Sequence, residues 1–126
     1  TIFNEDMIMA SKLIEDGKII AYTADAQVWH WHDYRAIDQL HRNFDLAVSQ
    51  VDYGGLFLQV KSESEGVRMV TATLKHLASK GKFHLIPKYI TDSGCKYIGY
   101  KLGKNYKHLP QWIIKKITMN KTYWNF

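Results

Sequence analysis

Apolar positions recur along this chain in two rhythms. Between residues 5 and 16, and again between 34 and 49, they return every three to four residues, the spacing of one helix face. In the first stretch Phe3, Met7, Ala10 and Ile14 share a face. Asn4 is placed to cap it, Glu5 and Asp6 suit the positive end of the helix dipole, and Gly17 ends the pattern. In the second, Tyr34, Ile37, Leu40, Phe44, Ala47 and Val48 form the stripe expected to be buried. Asp38, Arg42 and Asp45 are expected outside, with Asp33 as the cap. Between the two, KIIAYTADAQVWHWH alternates with a period of two. It predicts one long strand, or two short ones around Asp25, with Trp29 and Trp31 on one face and Val28, His30 and His32 on the other.

The middle of the chain predicts a strand–helix–strand crossover. GGLFLQV puts Leu56, Leu58 and Val60 on one strand face and Phe57 on the other. KSESEG then forms a polar loop, and Val67, Val70, Leu74, Leu77 and Ala78 make one helical stripe closed by Gly81. FHLIPKYI returns as a strand, demoted toward an edge by Pro87. The turn residues Thr91-Asp92-Ser93-Gly94 then predict a hairpin to CKYIGYKL. Pro110 opens a last helix, QWIIKKITMN, with Trp112, Ile113 and Ile117 inward and Lys115 and Lys116 outward. The expected fold is a single α+β domain over residues 1–126, a mixed sheet of about five strands with a central βαβ unit and about four helices.

Composition changes this picture little; charge changes it more. With 126 residues, 46% hydrophobic and 23% charged, the chain has room for one core and is not a disordered polymer. No apolar run reaches the length of a membrane span, and TIFNEDMIMA lacks the basic start of a secretory signal. The lone Cys95 excludes an internal disulfide and a cysteine-based zinc site, and it fits a cytoplasmic setting. The net charge of +5 is unevenly laid out. Residues 1–60 hold four basic and nine acidic side chains, net −5, and residues 61–126 hold thirteen and three, net +10. Such asymmetry suggests an anionic partner for the second half.

Several groups are candidates for chemistry. His30, His32 and Asp33, with His41 one helix later, offer nitrogen and carboxylate donors, but no third ligand stands at a recognisable metal spacing. We therefore assign no metal site. The loop Lys61–Gly66 precedes a helix, whose free N–H groups attract anions, with Lys61 and Arg68 adding charge. Glu63 and Glu65 oppose a phosphate there, and Ser62 with Glu65 has the spacing of a capping box. The last 31 residues interleave lysines, which neutralise phosphates, with tyrosines and tryptophans, on which bases stack.

The order strand, polar loop with Gly66-Val67, amphipathic helix and strand resembles the cofactor-binding core of the GNAT acyltransferases. LIEDGKIIAY resembles an early strand of that family, and Tyr100-Lys101-Leu102-Gly103-Lys104 resembles a late segment. The resemblance covers scattered pieces of about half the chain. It implies coenzyme A held by backbone N–H groups around Gly66, Val67 and Arg68. The family's glycine-rich signature is reduced here to Gly66, with Arg68 where a second glycine belongs.

The leading expectation is a small basic protein that binds nucleic acid or another polyanion. Its contacts would be Lys96, Tyr97, Lys101, Lys104, Lys107, Lys115, Lys116, Lys121 and Trp124. The alternative is a GNAT-like acyltransferase with a degenerate coenzyme A site at Gly66, Val67 and Arg68. A third is a protein-binding or inhibitory module. No catalytic constellation can be named, and no cofactor is expected outside the acyltransferase alternative.

Overall fold

The computed structural model describes residues 1–57 and 62–124, with only the backbone of Ser62 and Glu63. Among the described residues every regular element is helical: α1 (Glu5–Glu15), α2 (Ala36–Asp52), the single turn α3 (Gly54–Phe57), α4 (Ser62–Ser79), α5 (Ile86–Lys104) and α6 (Gln111–Ile117), with short 3-10 turns at Phe83–Leu85, Tyr106–His108 and Lys121–Trp124. The expected α+β fold, its five-stranded sheet and its βαβ unit are therefore corrected to an all-helical architecture.

Where helical periodicity was strong, the elements stand close to where it put them. Gly17 and Gly81 adopt left-handed backbone, φ +74° and +65°. Each is followed by a Schellman closure, Lys18 N–H to Leu13 O at 2.8 Å and Lys82 N–H to Leu77 O at 2.9 Å. Helix α2 starts two residues later than expected. Its first turn is closed by Asp38, which accepts the Arg35 backbone N–H at 3.0 Å and the Arg35 Nε at 3.1 Å, so Asp33 is not the cap. Asn4 does stand at the N-cap position of α1, but its side chain makes no capping hydrogen bond. It sits at φ 60° and its amide donates to Leu46 O at 3.4 Å, tying the start of α1 to α2. In α1 the buried residue is Ile8, while Met7 and Ile14 are exposed.

The largest departure is residues 83–104, expected as two strands and a hairpin and found as a 3-10 turn running into α5. Pro87 sits in the first turn of α5, where its fixed φ suits a helix and its missing N–H costs nothing. The Thr91–Gly94 turn residues lie inside the helix. Thr91 Oγ1 bonds Pro87 O at 3.0 Å and Asp92 pairs with Lys88 at 2.8 Å, both at i,i+4. Gly99 and Gly103, one helical turn apart, are buried on the face toward α2. A Cβ at Gly99 would collide with the Leu40 carbonyl, and one at Gly103 with the Phe44 carbonyl. The two helices thus meet backbone to backbone, and α2 with α5 is the rigid pair of the fold.

The strand expected over Gly54–Val60 is helical through Phe57; residues 58–61, with Lys61, lie outside the described residues. Residues 18–34 hold no helix or strand, only a turn at Ala24-Asp25.

The core is one cluster of Ile2, Phe44, Val48, Ile114 and Trp124, with Phe3, Leu102, Tyr106, Leu109, Ile117 and Tyr123 packed around it. In α6, Ile117 packs against the core and Lys115 and Lys116 are exposed, as expected, but the fully buried residue is Ile114, and Trp112, expected inward, is exposed. Asp45, expected outside, is 2% exposed.

Candidate functional site

The sequence-selected residues fall into two groups in space. Gly66, Val67, Lys96 and Tyr97 come together along an open groove of about 850 Å³ between α4 on one side and α2 and α5 on the other. Its walls are mostly apolar, with Leu46, Val70, Leu74 and Tyr100 among them. Lys96 is the one cation among the described lining residues. Gly66 lies past the first turn of α4, where N–H groups are already committed to the helix. No atom lies within 4 Å of a Cβ built at Gly66, so nothing there requires a glycine. Arg68 is paired with Glu65 at 3.3 Å. The groove's chemistry suits an apolar group.

Several of the remaining lysines lie against aromatic rings of this chain. Lys101 Nζ lies 5.6 Å from the Tyr97 ring, Lys104 Nζ 5.4 Å from Tyr100 and Lys107 Nζ 5.9 Å from Tyr106. The first two pairs are i,i+4 neighbours on α5, so their interleaving is helical side-chain pairing. Tyr100 donates its hydroxyl to Gln50 Oε1 at 3.2 Å, across the α2–α5 contact. Trp124, chosen as a stacking platform, is 7% exposed and belongs to the core. Lys115, Lys116 and Lys121 are exposed on α6 and on the Lys121–Trp124 turn.

Two carboxylates, Asp45 and Asp52, hold elements together and a third, Asp38, closes the start of α2; sequence reasoning missed all three roles. Asp45 accepts the Thr118 hydroxyl at 2.6 Å, the Met119 N–H at 2.9 Å and the Asn120 N–H at 3.3 Å. Trp124 Nε1 donates in turn to Thr118 Oγ1 at 3.2 Å. Burial pushes the Asp45 carboxyl above its ordinary value, against these hydrogen bonds, which pull it down. Asp52 accepts the Tyr106 hydroxyl at 2.5 Å and the Tyr123 hydroxyl at 3.5 Å. Desolvation first, and the carboxylate second, raise both phenols. Asp38 closes the start of α2, and its hydrogen bonds to Arg35 lower its carboxyl. The signal available in sequence was slight: an acid one turn after His41 on the apolar stripe of α2.

His30 and His32 meet through their Nε2 atoms, and the His32 ring stacks on Tyr34 at 4.9 Å. Desolvation, then His30 and the Arg42 cation, push His32 below the ordinary imidazole value. The Arg42 guanidinium lies 4.8 Å from the Phe3 ring and 5.2 Å from the Tyr34 ring, and donates to the Tyr34 hydroxyl at 3.0 Å. Among the described residues no group of three or more His, Cys, Asp or Glu is placed to hold a metal ion. No helix among them is long and apolar enough to cross a membrane.

No protein-family model matches the chain, and no solved structure matches it. Two curated proteins do. The O-antigen chain rhamnosyltransferase RfbN of Salmonella typhimurium and the O-antigen chain rhamnosyltransferase WbaN of Salmonella anatum are each 36% identical over 132 aligned residues. The alignment covers 99% of this chain, and the chain spans 40% of the length of each relative. Both relatives are named as glycosyltransferases. That finding overturns the expectations of a nucleic-acid-binding protein and of a GNAT-like acyltransferase. What this chain is similar to is one part of an O-antigen chain rhamnosyltransferase.

Proposed function

We propose that the chain is the helical part of a glycosyltransferase that adds rhamnose during O-antigen assembly. The observation that carries this reading is 36% identity sustained over 99% of the chain to two proteins bearing that name. Rhamnosyl transfer breaks the bond between the sugar's anomeric carbon and a leaving group, and forms one to an acceptor hydroxyl. It needs a base for the hydroxyl proton and stabilisation of the departing charge.

Four acids are engaged in structure: Asp45 on Thr118, Asp38 on Arg35, Asp52 on Tyr106 and Asp92 on Lys88. This part supplies the rigid α2–α5 pair and the apolar groove beside it.

The test is a transplant. The matched stretch of the Salmonella typhimurium relative is replaced by this chain and expressed in a strain lacking that relative. The hybrid is assayed for rhamnose transfer from a nucleotide-linked donor and for the O-antigen ladder. Restored transfer is expected. A folded, normally abundant hybrid that transfers no rhamnose overturns the reading.

A further inference from the structure

Arg42 is a cation without a counter-charge. It is half-buried on α2 and takes part in none of the ion pairs made among the described residues, which join Arg35, Arg68 and Lys88 to their acids. Aromatic packing holds it instead. The guanidinium lies against the rings of Phe3 and Tyr34, and Nη1 donates to the Tyr34 hydroxyl. A guanidinium carries its donors in a rigid planar fork, so most of them remain for a further acceptor. Taking such a group partly out of water without an anion costs free energy.

Two imidazoles stand beside it. His30 and His32 are exposed and meet through Nε2, with ring centroids 4.1 Å apart. His32 stacks on the same Tyr34 ring that Arg42 lies against. Besides desolvation, the groups that lower His32 are His30 and Arg42, both basic; Asp33, its neighbour in sequence, is not among them. Two ring nitrogens that meet share one proton. A second proton sets two cations side by side, and an oxyanion is what holds such a pair. A metal ion is the other partner of paired imidazoles. Among the described residues, however, no third His, Cys, Asp or Glu is placed to complete a metal site.

The Tyr34 ring thus joins two basic points, the imidazole pair and the guanidinium fork. A carboxylate would occupy one of them. A diphosphate carries charge at both ends, and the fork matches phosphate oxygens two at a time. We propose that His30, His32 and Arg42 form a binding site for a diphosphate group, with Tyr34 as the spacer between its two ends. The site stands without the glycosyltransferase reading. Within that reading, a diphosphate is what a nucleotide-linked sugar donor carries.

Calorimetric titration of the chain with inorganic pyrophosphate, in the presence of EDTA, tests it. Saturable binding is expected, with inorganic phosphate roughly tenfold weaker or more, because it reaches one basic point only. His30→Gln with His32→Gln changes two exposed side chains. The pair should leave Tm unchanged and weaken pyrophosphate by roughly tenfold or more, the worth of a hydrogen bond to a charged group. Arg42→Lys keeps the charge, loses the fork and should weaken it by a similar factor. Lys115→Gln with Lys116→Gln removes two exposed cations elsewhere and should change nothing. No saturable binding at millimolar pyrophosphate, an equal loss in the lysine variant, or binding that needs a divalent cation overturns the site.

If Arg42→Lys does not fold, the imidazole NMR signals of the wild type decide. Pyrophosphate should shift His30 and His32 and leave the exposed His76 and His108 where they are. Unmoved His30 and His32 signals overturn the proposal. Uridine diphosphate then separates the sources of the ligand. Binding tighter than that of pyrophosphate ties the site to a nucleotide-linked donor, and equal binding assigns it to the diphosphate alone. An inactive hybrid in the transplant above removes the transferase reading and leaves this site standing.

Discussion

The carboxylate of Asp45 and the hydroxyl of Thr118 meet at 2.6 Å across 73 positions of sequence, inside the protein. Through Thr118 the contact continues to the Trp124 indole N–H, so one acid in the middle of α2 ties down Thr118, Met119, Asn120 and, through Thr118, Trp124. Removing a buried acceptor leaves its donors without partners. Asp45→Ala should therefore cost about 2–4 kcal/mol, read as a lower urea midpoint at unchanged m. Thr118→Val should cost less, and the double variant less than the sum, because both break one network.

The same acid has a pH signature. Its folded pKa lies above the ordinary 3.8, so the folded state holds the proton more tightly than the unfolded chain does. Its contribution to stability is then largest below the unfolded value and is lost as pH rises through the folded one. Asp45→Asn has no such proton to lose. The stability of the wild type relative to Asp45→Asn should fall as pH rises from about 3.8. A relative stability that climbs over this range would contradict the raised carboxyl. His41, the one ionisable neighbour acting on Asp45, is controlled by repeating the comparison in a His41→Gln background.

Glycines at three places should respond in opposite directions. Gly103→Ala and Gly99→Ala drive a methyl into the α2 backbone, and each should cost about 1–3 kcal/mol or more, as overpacking does. Gly66→Ala meets nothing and lies inside α4, so it should stabilise by about 0.5–1 kcal/mol. Thermal unfolding of the three variants separates them.

The tryptophans give a spectroscopic check. Trp29, Trp31 and Trp112 are exposed and Trp124 is buried. Iodide should quench most of the emission of the chain and leave a shielded, blue-shifted remainder. Trp124→Phe should remove that remainder. A shielded fraction surviving the substitution would mean that one of the other three is covered in solution.

Sequence disclosed the helices whose apolar spacing is unambiguous and whose ends carry glycine, which is why α1, α2 and most of α4 stand near their expected places. It failed over residues 83–104. FHLIPKYI and CKYIGYKL are short, rich in β-branched and aromatic side chains, and compatible with either period, and the turn residues between them completed a plausible hairpin. The deciding signal was Gly99-x-x-x-Gly103, whose value lies in contact with another helix and not in local preference. Asp45 was hidden for a related reason: a polar residue on an amphipathic helix is read as exposed until its distant partner is known. The candidate site was the least legible part. The alternation of lysine and tyrosine that suggested a binding surface is what i,i+4 pairing looks like when written in a line.

The seat of Arg42 between the rings of Phe3 and Tyr34 has a consequence for the stretch 18–33 that ends beside it. Tyr34 is held by a guanidinium on a helix locked to α5, and His32 rests on Tyr34. At the other end, the left-handed turn at Gly17 fixes the direction in which the chain leaves α1. The segment between is thus a tether anchored at both ends, which has already surrendered much of the freedom of a loose tail. Closing it onto any surface costs less entropy than ordering a free peptide of the same length, and brings its aromatics to a nearly predetermined place.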